Sequence, residues 1–462
     1  MSFLMRRLAA LHADHRRIAL GAARVAFFLL MGKAVGAFKE MAVAYRYGIS
    51  DVVDAYQFTL TLANWLPVTL VGAFSVVLIP ALVRSRRGST HQHGRFLGEL
   101  QAWALALGLL LALVLVLAWP WVLEIAGQGL SANVQGMSQL LILGFAPAAL
   151  FTITTGLSAA RLRAHERHIN TLLDSLPALM ILLWVLAAPA GAGVMPLLWG
   201  TLLGYALQAF FQRLLAQRAD AVSTPLHLSQ QAPQWSTLAA AAGIMLIGQL
   251  AMSFVGPIDQ YTAAQLGQNA NATLGYAARL LSLMIGLGAA SVGRAALPVL
   301  ADIQGRGDAA HARAMALKWS AVMLVIGAVV VVLGWWLAPW LVSVLFERGA
   351  FGAQDTQAVA HVLRWGLLQL PFFFGVLILV QLLASQNRYR WMAAIAVLNF
   401  LLKAFLNTVL APRMGVAGIM LATSAMYALS YTAYLVLALR AAPVAGTPRR
   451  SKRNPDNETD PD

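Results

Sequence analysis

The sequence predicts an all-α integral membrane protein with about twelve transmembrane helices arranged as two six-helix halves. Three observations lead to that fold class: the hydropathy of the chain, the placement of Lys and Arg between apolar runs, and a weak internal repeat. Of 462 residues, 60% are hydrophobic and 11% are charged, whereas a water-soluble domain carries about 25% charged residues. Mean hydropathy is +0.70. Apolar stretches recur from Ile18 to Leu439, each long enough to cross a hydrocarbon core of about 30 Å as a helix.

In windows of about 19 residues, the first six spans fall near 18–44, 53–83, 98–122, 137–160, 170–189 and 194–215. Six more fall near 236–261, 271–300, 316–345, 358–384, 390–410 and 415–439. Residues 1–17 carry Arg6, Arg7, Arg16 and Arg17 and no small-residue cleavage pattern, so they read as a retained cytoplasmic segment and not as a signal peptide. The domain plan is an N-terminal half over 1–217, a polar, Pro-containing linker over 218–234, a C-terminal half over 235–440 and a tail over 441–462. The tail has a basic patch followed by acids and almost no apolar residue, so burial cannot offset the entropy of ordering it.

If the N-terminus is cytoplasmic, the cytoplasmic loops hold Arg84, Arg86, Arg87, Arg95, Arg161, Arg163, Arg167, Arg213, Arg218, Arg306, Arg313, Lys318, Arg388 and Arg390. The opposite loops hold only Arg46, Arg348 and Arg413. This bias in short loops sets orientation. It also supports the count, because one missed helix would invert every later loop. Both termini are therefore expected in the cytoplasm. In the repeat, Gly48, Tyr56 and Pro80 answer Gly267, Tyr276 and Pro298 at an offset of about 219 residues. Two halves of equal topology are related by an axis along the membrane normal, with a substrate site expected between them.

Seven bases lie in or at the edge of spans. Arg24, Arg294, Arg364 and Lys403 can reach an interface by snorkelling. Lys33, Lys39 and Arg279 cannot do so easily, and each costs roughly 2.5 to 3.5 kcal/mol at a helix centre. Lys33, Gly36, Ala37 and Glu40 share one face of the first span. Two readings stay open. Either Glu40, Asp54 and Asp259 neutralise these bases in ion pairs, or the bases wait for an anionic ligand, the default for ionisable residues at membrane depth. Asn64, Gln249, Asn399 and Asn407 are further polar positions in spans, and Pro67 and Pro371 are candidate helix breaks.

Much is excluded. The absence of Cys removes disulfides and thiolate chemistry. The nine His residues sit mainly in cytoplasmic segments and form no H-E-x-x-H pattern, and no G-x-x-x-x-G-K-[ST] loop is present. The pairs His12 with His15 and His165 with His168 are crowded by arginines that repel a metal ion. No enzyme, metal or cofactor is expected. The net charge of +15 follows the membrane-topology pattern, so nucleic acid is not expected as a partner.

Three stretches resemble a known family. GKAVGAFKEMAVAYRYGISDVVDAYQFTLTLANW (Gly32 to Trp65) with the later VGAFSVVLIPAL, LFERGAF (345–351) with Asp355 and Thr356 after it, and NFLLKAFLNTVLAPRMGVAGIMLATS (Asn399 to Ser424) resemble the MurJ/MviN lipid II flippase family. That family sits in the multidrug/oligosaccharidyl-lipid/polysaccharide exporter (MOP) superfamily, and the resemblance runs from about Lys33 to Arg440. It implies a MOP-type fold in the bacterial inner membrane that moves an undecaprenyl-pyrophosphate-linked sugar outward by alternating access. The sugar would be lipid II or another cell-envelope or exported polysaccharide precursor. Partners implied are that lipid, membrane lipids and envelope-biosynthesis proteins.

By this resemblance Lys33 and Lys39 stand where the family has two arginines, Glu40 matches the neighbouring acid, and Asp54 opens D-A-Y in place of D-A-F. Arg279 matches the eighth-helix arginine. Asn64 is followed by Trp65, Leu66, Pro67 and Val68 where the family has arginines, and the chain ends in its polar tail without the two further helices usual in the family. The expected substrate contacts are Lys33, Lys39, Asn64 and Arg279, with Glu40, Asp54 and Asp259 in coupling or charge pairing. An ion-coupled multidrug exporter of the same superfamily is the alternative, and it would want an acidic cavity for cationic drugs. Reporter fusions at residues 90, 165, 308 and 445 are expected to signal from the cytoplasm and those at 128 and 265 from outside. A periplasmic signal at 90 or 445 would overturn the topology.

Overall fold

In the computed structural model, described residues run from 13 to 440 apart from 87–88, 166, 168, 223, 233, 236–248, 251–252, 268, 306–308 and 387. Side chains are undescribed at 13–26, 29, 76, 287–302, 304–305, 309 and 389 as well. The expectations for Arg24, Arg294, the first part of the seventh span and the tail therefore fall outside the described residues or side chains.

The described residues form helices α1 (Ala13–Tyr47), α2 (Asp51–Ser85), α3 (Thr90–Ala126), α4 (Ala132–Ala164), α5 (Asn170–Leu173), α6 (Leu176–Ala187) and α7 (Met195–Asp220). They continue as α8 (Val255–Leu266), α9 (Ala270–Gly305), α10 (Ala309–Phe346), α11 (Ala353–Leu367), α12 (Leu370–Ser385), α13 (Tyr389–Met414) and α14 (Val416–Arg440). Each expected span other than the seventh coincides with one helix or one helix pair, and the described end of the seventh lies in α8. Eight of them are long and apolar enough to be membrane spans by composition alone.

Two spans are broken, and proline is the reason. Pro177 and Pro371 lack the N–H that would bond to the carbonyl four residues earlier and clash with it. Those carbonyls belong to Leu173 and Leu367, the residues at which α5 and α11 end. Nearby carbonyls are taken up by side chains: Ser175 Oγ donates to Leu172 O at 2.6 Å, and Gln369 Nε2 donates to Gly366 O at 2.8 Å. Pro67, by contrast, lies inside an unbroken α2. Helix α7 overruns the expected linker start at 218 and continues to Asp220. Arg161 of α4 and His165, just past its end, hold that carboxylate at 2.6 Å and 2.7 Å, which fixes the last turn.

Packing is dense within each half: α2 and α3 against α4, α4 and α6 against α7, and then α10 against α12 and α13 against α14. The halves meet where α2 touches α8 and α9, while α1 lies on α6 and reaches α10. At the end that the loop charges assign to the outside, the chain turns of both halves interlock. Gly48 follows α1 and Gly267 follows α8, and both have positive φ (57° and 94°), so the repeat is visible in the backbone. Tyr276 Oη donates to Gly48 O at 2.9 Å, and Ala350 N donates to Tyr45 O at 2.8 Å. A β-carbon on Gly48 would meet the carbonyl of Ala350, which adds a packing reason to the conformational one. Tyr276, Phe346 and Phe351 stack beside this junction with centroids 5.2 to 5.8 Å apart.

Asp54 belongs to the same junction. Its Oδ1 accepts from Ala272 N at 2.7 Å, so it caps the start of α9 from the other half and does not pair with a base. Losing such a cap costs about 1 kcal/mol, and the acceptor matters more than the charge. Asp54→Asn is accordingly expected to leave thermal stability in detergent nearly unchanged, and Asp54→Ala to lower the Tm. Equal loss in both variants would show that the charge itself is needed.

Candidate substrate-binding site

The two halves leave a cavity of about 260 Å³ lined by α1 (Lys33, Gly36, Ala37, Lys39, Glu40, Met41), α6, α9 (Arg279, Leu280, Ser282, Leu283) and the end of α10. The helical spacing of Lys33, Gly36, Ala37 and Glu40 is what turns one face of α1 toward it. Gly36 and Ala37 leave the room between the charges.

Glu40 is the hub. Its Oε1 lies 2.5 Å from Lys39 Nζ and 3.0 Å from Arg279 Nε, while its Oε2 is buried with no hydrogen-bond partner. Arg279 comes from the other half, nine residues into α9, so this ion pair bridges the halves. Gln57 Oε1 accepts a long contact from Arg279 at 3.4 Å, and the ring of Tyr56 lies 5.7 Å from Lys39 Nζ. Lys33 is half-buried and has no ionic partner among the described residues. Its ammonium lies against Gly286 of α9, where an added β-carbon would push the end of the Lys33 side chain aside. Gly286 thus sits beside a charge in this cavity wall.

Arg279 also lines a second cavity of about 360 Å³ between the halves, with Gln57, Thr61, Asp259, Gln260, Gln369 and Thr423. Asp259 does not reach Arg279 as a counter-ion. It pairs with Lys403 at 2.8 Å and accepts from Asn407 Nδ2 at 3.0 Å. Lys403, expected to snorkel, is fully buried because this carboxylate is available inside. Arg364 turns inward too, donating from Nε to Trp335 O at 2.9 Å.

The arrangement departs from the expected site in three places. Of the substrate contacts, Lys33, Lys39 and Arg279 are brought together, but Asn64 lines neither cavity; its Oδ1 is buried without a partner. Of the charge-pairing acids, Glu40 serves these bases, Asp54 caps α9 and Asp259 serves Lys403. Gln57 and Gly286 were not expected at the site. Gln57 sits one residue after the Tyr56 of the repeat, and the helical spacing of Gly275, Arg279 and Gly286 along α9 is the signal for the other.

Electrostatically, among the described residues three bases face one carboxylate across the 260 Å³ cavity, an excess of two positive charges. A cavity of that sign at membrane depth suits a dianion.

The family model described as lipid II flippase MurJ matches residues 43–450. A lipid II flippase MurJ from Burkholderia cenocepacia is 25% identical over 425 residues, covering 86% of this chain and 79% of that protein. A probable lipid II flippase MurJ from Bdellovibrio bacteriovorus is 26% identical over 234 residues, covering 49% of this chain and 43% of that protein. Among solved structures, a lipid II flippase MurJ in an inward closed conformation superposes with a TM-score of 0.76 at 17% identity, covering 90% of this chain and 87% of that one. An inward-facing multidrug resistance MATE family transporter of the MOP superfamily superposes with a TM-score of 0.67 at 13% identity, covering 89% of this chain and 97% of that one. With the family model matched over most of its length, this chain, a multi-span membrane protein, belongs to the lipid II flippase MurJ family.

Proposed function

We propose that this chain flips an undecaprenyl-pyrophosphate-linked sugar, lipid II or a related envelope precursor, outward across the bacterial inner membrane by alternating access of the cavity between its halves. Both termini lie in the cytoplasm in this reading. The observation that carries it is the charge balance around Glu40. Lys33, Lys39 and Arg279 converge on a cavity with one carboxylate, and a pyrophosphate diester brings the two negative charges that are lacking. A cavity of this sign disfavours cationic drugs.

In this reading the events follow in sequence. A headgroup entering the inward-open cavity meets Lys33 first, the deepest base from the outer junction, about 9 Å from Lys39 along α1 at 1.5 Å per residue. Deeper binding competes with Glu40 for Lys39 and Arg279. Because Arg279 belongs to the second half and Glu40 to the first, a phosphate that takes over Arg279 replaces the bridge between halves with one made through the substrate. The bridge then loosens only when substrate is present. Lys supplies point charge and not a planar fork, so the bidentate contact falls to Arg279.

The empty cavity carries about two positive charges and the loaded one is near neutral. An inside-negative potential therefore acts on the return step, drawing the empty cavity back to the cytoplasmic side at about 2.3 kcal/mol per charge per 100 mV. In proteoliposomes, flipping is expected to accelerate when such a potential is imposed and to need no ATP. An ATP requirement with no response to potential would contradict this.

Arg279→Ala is expected to abolish flipping while leaving folded yield and Tm within a few degrees of wild type, since Glu40 keeps Lys39. Lys39→Arg is expected to flip normally. If Arg279→Ala instead unfolds the protein and adding Glu40→Gln restores both Tm and transport, the bases serve as ion pairs only and the headgroup reading fails.

A further inference from the structure

The second half contains a charge site that the headgroup reading does not use. Lys403 of α13 is fully buried, and its ammonium has three oxygen partners from three different groups: Asp259 Oδ1 of α8 at 2.8 Å, Ile419 O of α14 at 2.7 Å and Thr423 Oγ1 of α14 at 2.6 Å. All three N–H bonds of the ammonium are thereby used. Asn407 Nδ2 braces the same carboxylate oxygen at 3.0 Å. Two further buried acceptors on α13, Asn399 Oδ1 and Asn407 Oδ1, one helical turn to either side of Lys403, have no hydrogen-bond partner.

A carboxylate, a main-chain carbonyl and a hydroxyl are hard oxygen donors, the set that coordinates a dehydrated metal cation without needing nitrogen or sulfur. Here that cradle is filled by a side chain. Asp259 and Thr423 also line the 360 Å³ cavity that Arg279 shares, so water and small ions can reach the cradle from the substrate side.

We infer that Lys403 is a tethered counter-cation. Its ammonium occupies a three-oxygen cradle among α8, α13 and α14 that would otherwise take a small monovalent cation, and it holds those helices permanently in the cation-filled arrangement. The inference refines the transport reading by addressing its coupling: exchange of a free cation at this cradle is not part of the cycle. Shortening the side chain should open the cradle to an ion from solution, because Asp259, half-buried and lining the cavity, then keeps Asn407 as a hydrogen-bond donor but loses its counter-charge.

The test is thermal stability of purified protein in NaCl, in KCl and in N-methyl-D-glucamine chloride at equal ionic strength, a readout in which headgroup binding takes no part. Wild type is expected to give one Tm in all three. Lys403→Ala is expected to fall in N-methyl-D-glucamine chloride and to recover by at least about 3 °C in NaCl or KCl, as mass-action binding to the folded state requires; the better salt identifies the ion that fits. Lys403→Ala with Asp259→Asn, lacking the carboxylate, is expected to fold with no dependence on the cation. Equal losses for Lys403→Ala in the three salts, or a cation dependence that survives Asp259→Asn, would overturn the inference. So would a wild-type Tm that rises in NaCl or KCl. The headgroup reading is judged separately, by flipping in Arg279→Ala.

Discussion

An ionised side chain inside a bilayer has to find a counter-charge, a hydrogen-bond cage or a wet cavity, and the way this chain meets that demand organises the molecule. It does so twice, with opposite results. Around Lys403 the demand is met in full: one ammonium, one carboxylate and two neutral oxygens close the account within the second half. Around Glu40 it is met in part, since one carboxylate serves Lys39 and Arg279 while Lys33 has none among the described residues. The balanced cluster fastens three helices of one half to each other. The unbalanced one spans both halves and invites an anion. In the proposed reading, structure and transport are thus separated by charge arithmetic on the same set of residue types.

The interlock at the outer end gives that imbalance a mechanical partner. Tyr276 on Gly48, Asp54 on Ala272 and Ala350 on Tyr45 are neutral or charge-to-backbone hydrogen bonds, each of modest strength. Together they join the turns of the two halves, and the Glu40–Arg279 pair lies beneath them. Alternating access requires such contacts to be made and broken reversibly, which suits several small terms better than one large one. At the inner end of the first half the linker is held by a different device. Glu99 accepts from Ser229 Oγ and Trp235 Nε1, both at 2.7 Å, and from two backbone amides. The connection between halves is therefore anchored to α3 and does not hang free.

Most of the fold was legible in the chain because bilayer thickness forces span length and loop charges report the parity of crossings. The two breaks at Pro177 and Pro371 were only half legible. Pro67, Pro147 and Pro339 are accommodated within continuous helices, and a proline's local sequence does not say whether neighbouring side chains will take up the carbonyl it frees. At the site, helical periodicity sufficed to put Lys33 and Glu40 on one face, and the cost of an unpaired base at membrane depth singled out Arg279 beside Lys33 and Lys39. What sequence could not resolve was partner choice. Asp54, Asp259 and Glu40 are three acids at membrane depth, and only packing between helices decides that one caps α9, one serves Lys403 and one serves Arg279. Asn64 shows the same limit: a polar residue in a span can point at a neighbour as readily as into a cavity.

The central claim is that the uncompensated pair of charges around Glu40 recognises a pyrophosphate. Equilibrium binding of purified protein to a polyprenyl-pyrophosphate-linked sugar, a dianion, and to the matching polyprenyl-phosphate-linked sugar, a monoanion, in wild type and in Lys33→Ala, tests it most directly, because no described residue forms an ion pair with Lys33. The account predicts that wild type prefers the pyrophosphate by about tenfold or more, one ionic contact of about 1.4 kcal/mol, and that Lys33→Ala loses the preference without losing Tm. Equal affinity of wild type for the two lipids, or a preference untouched by Lys33→Ala, would contradict it.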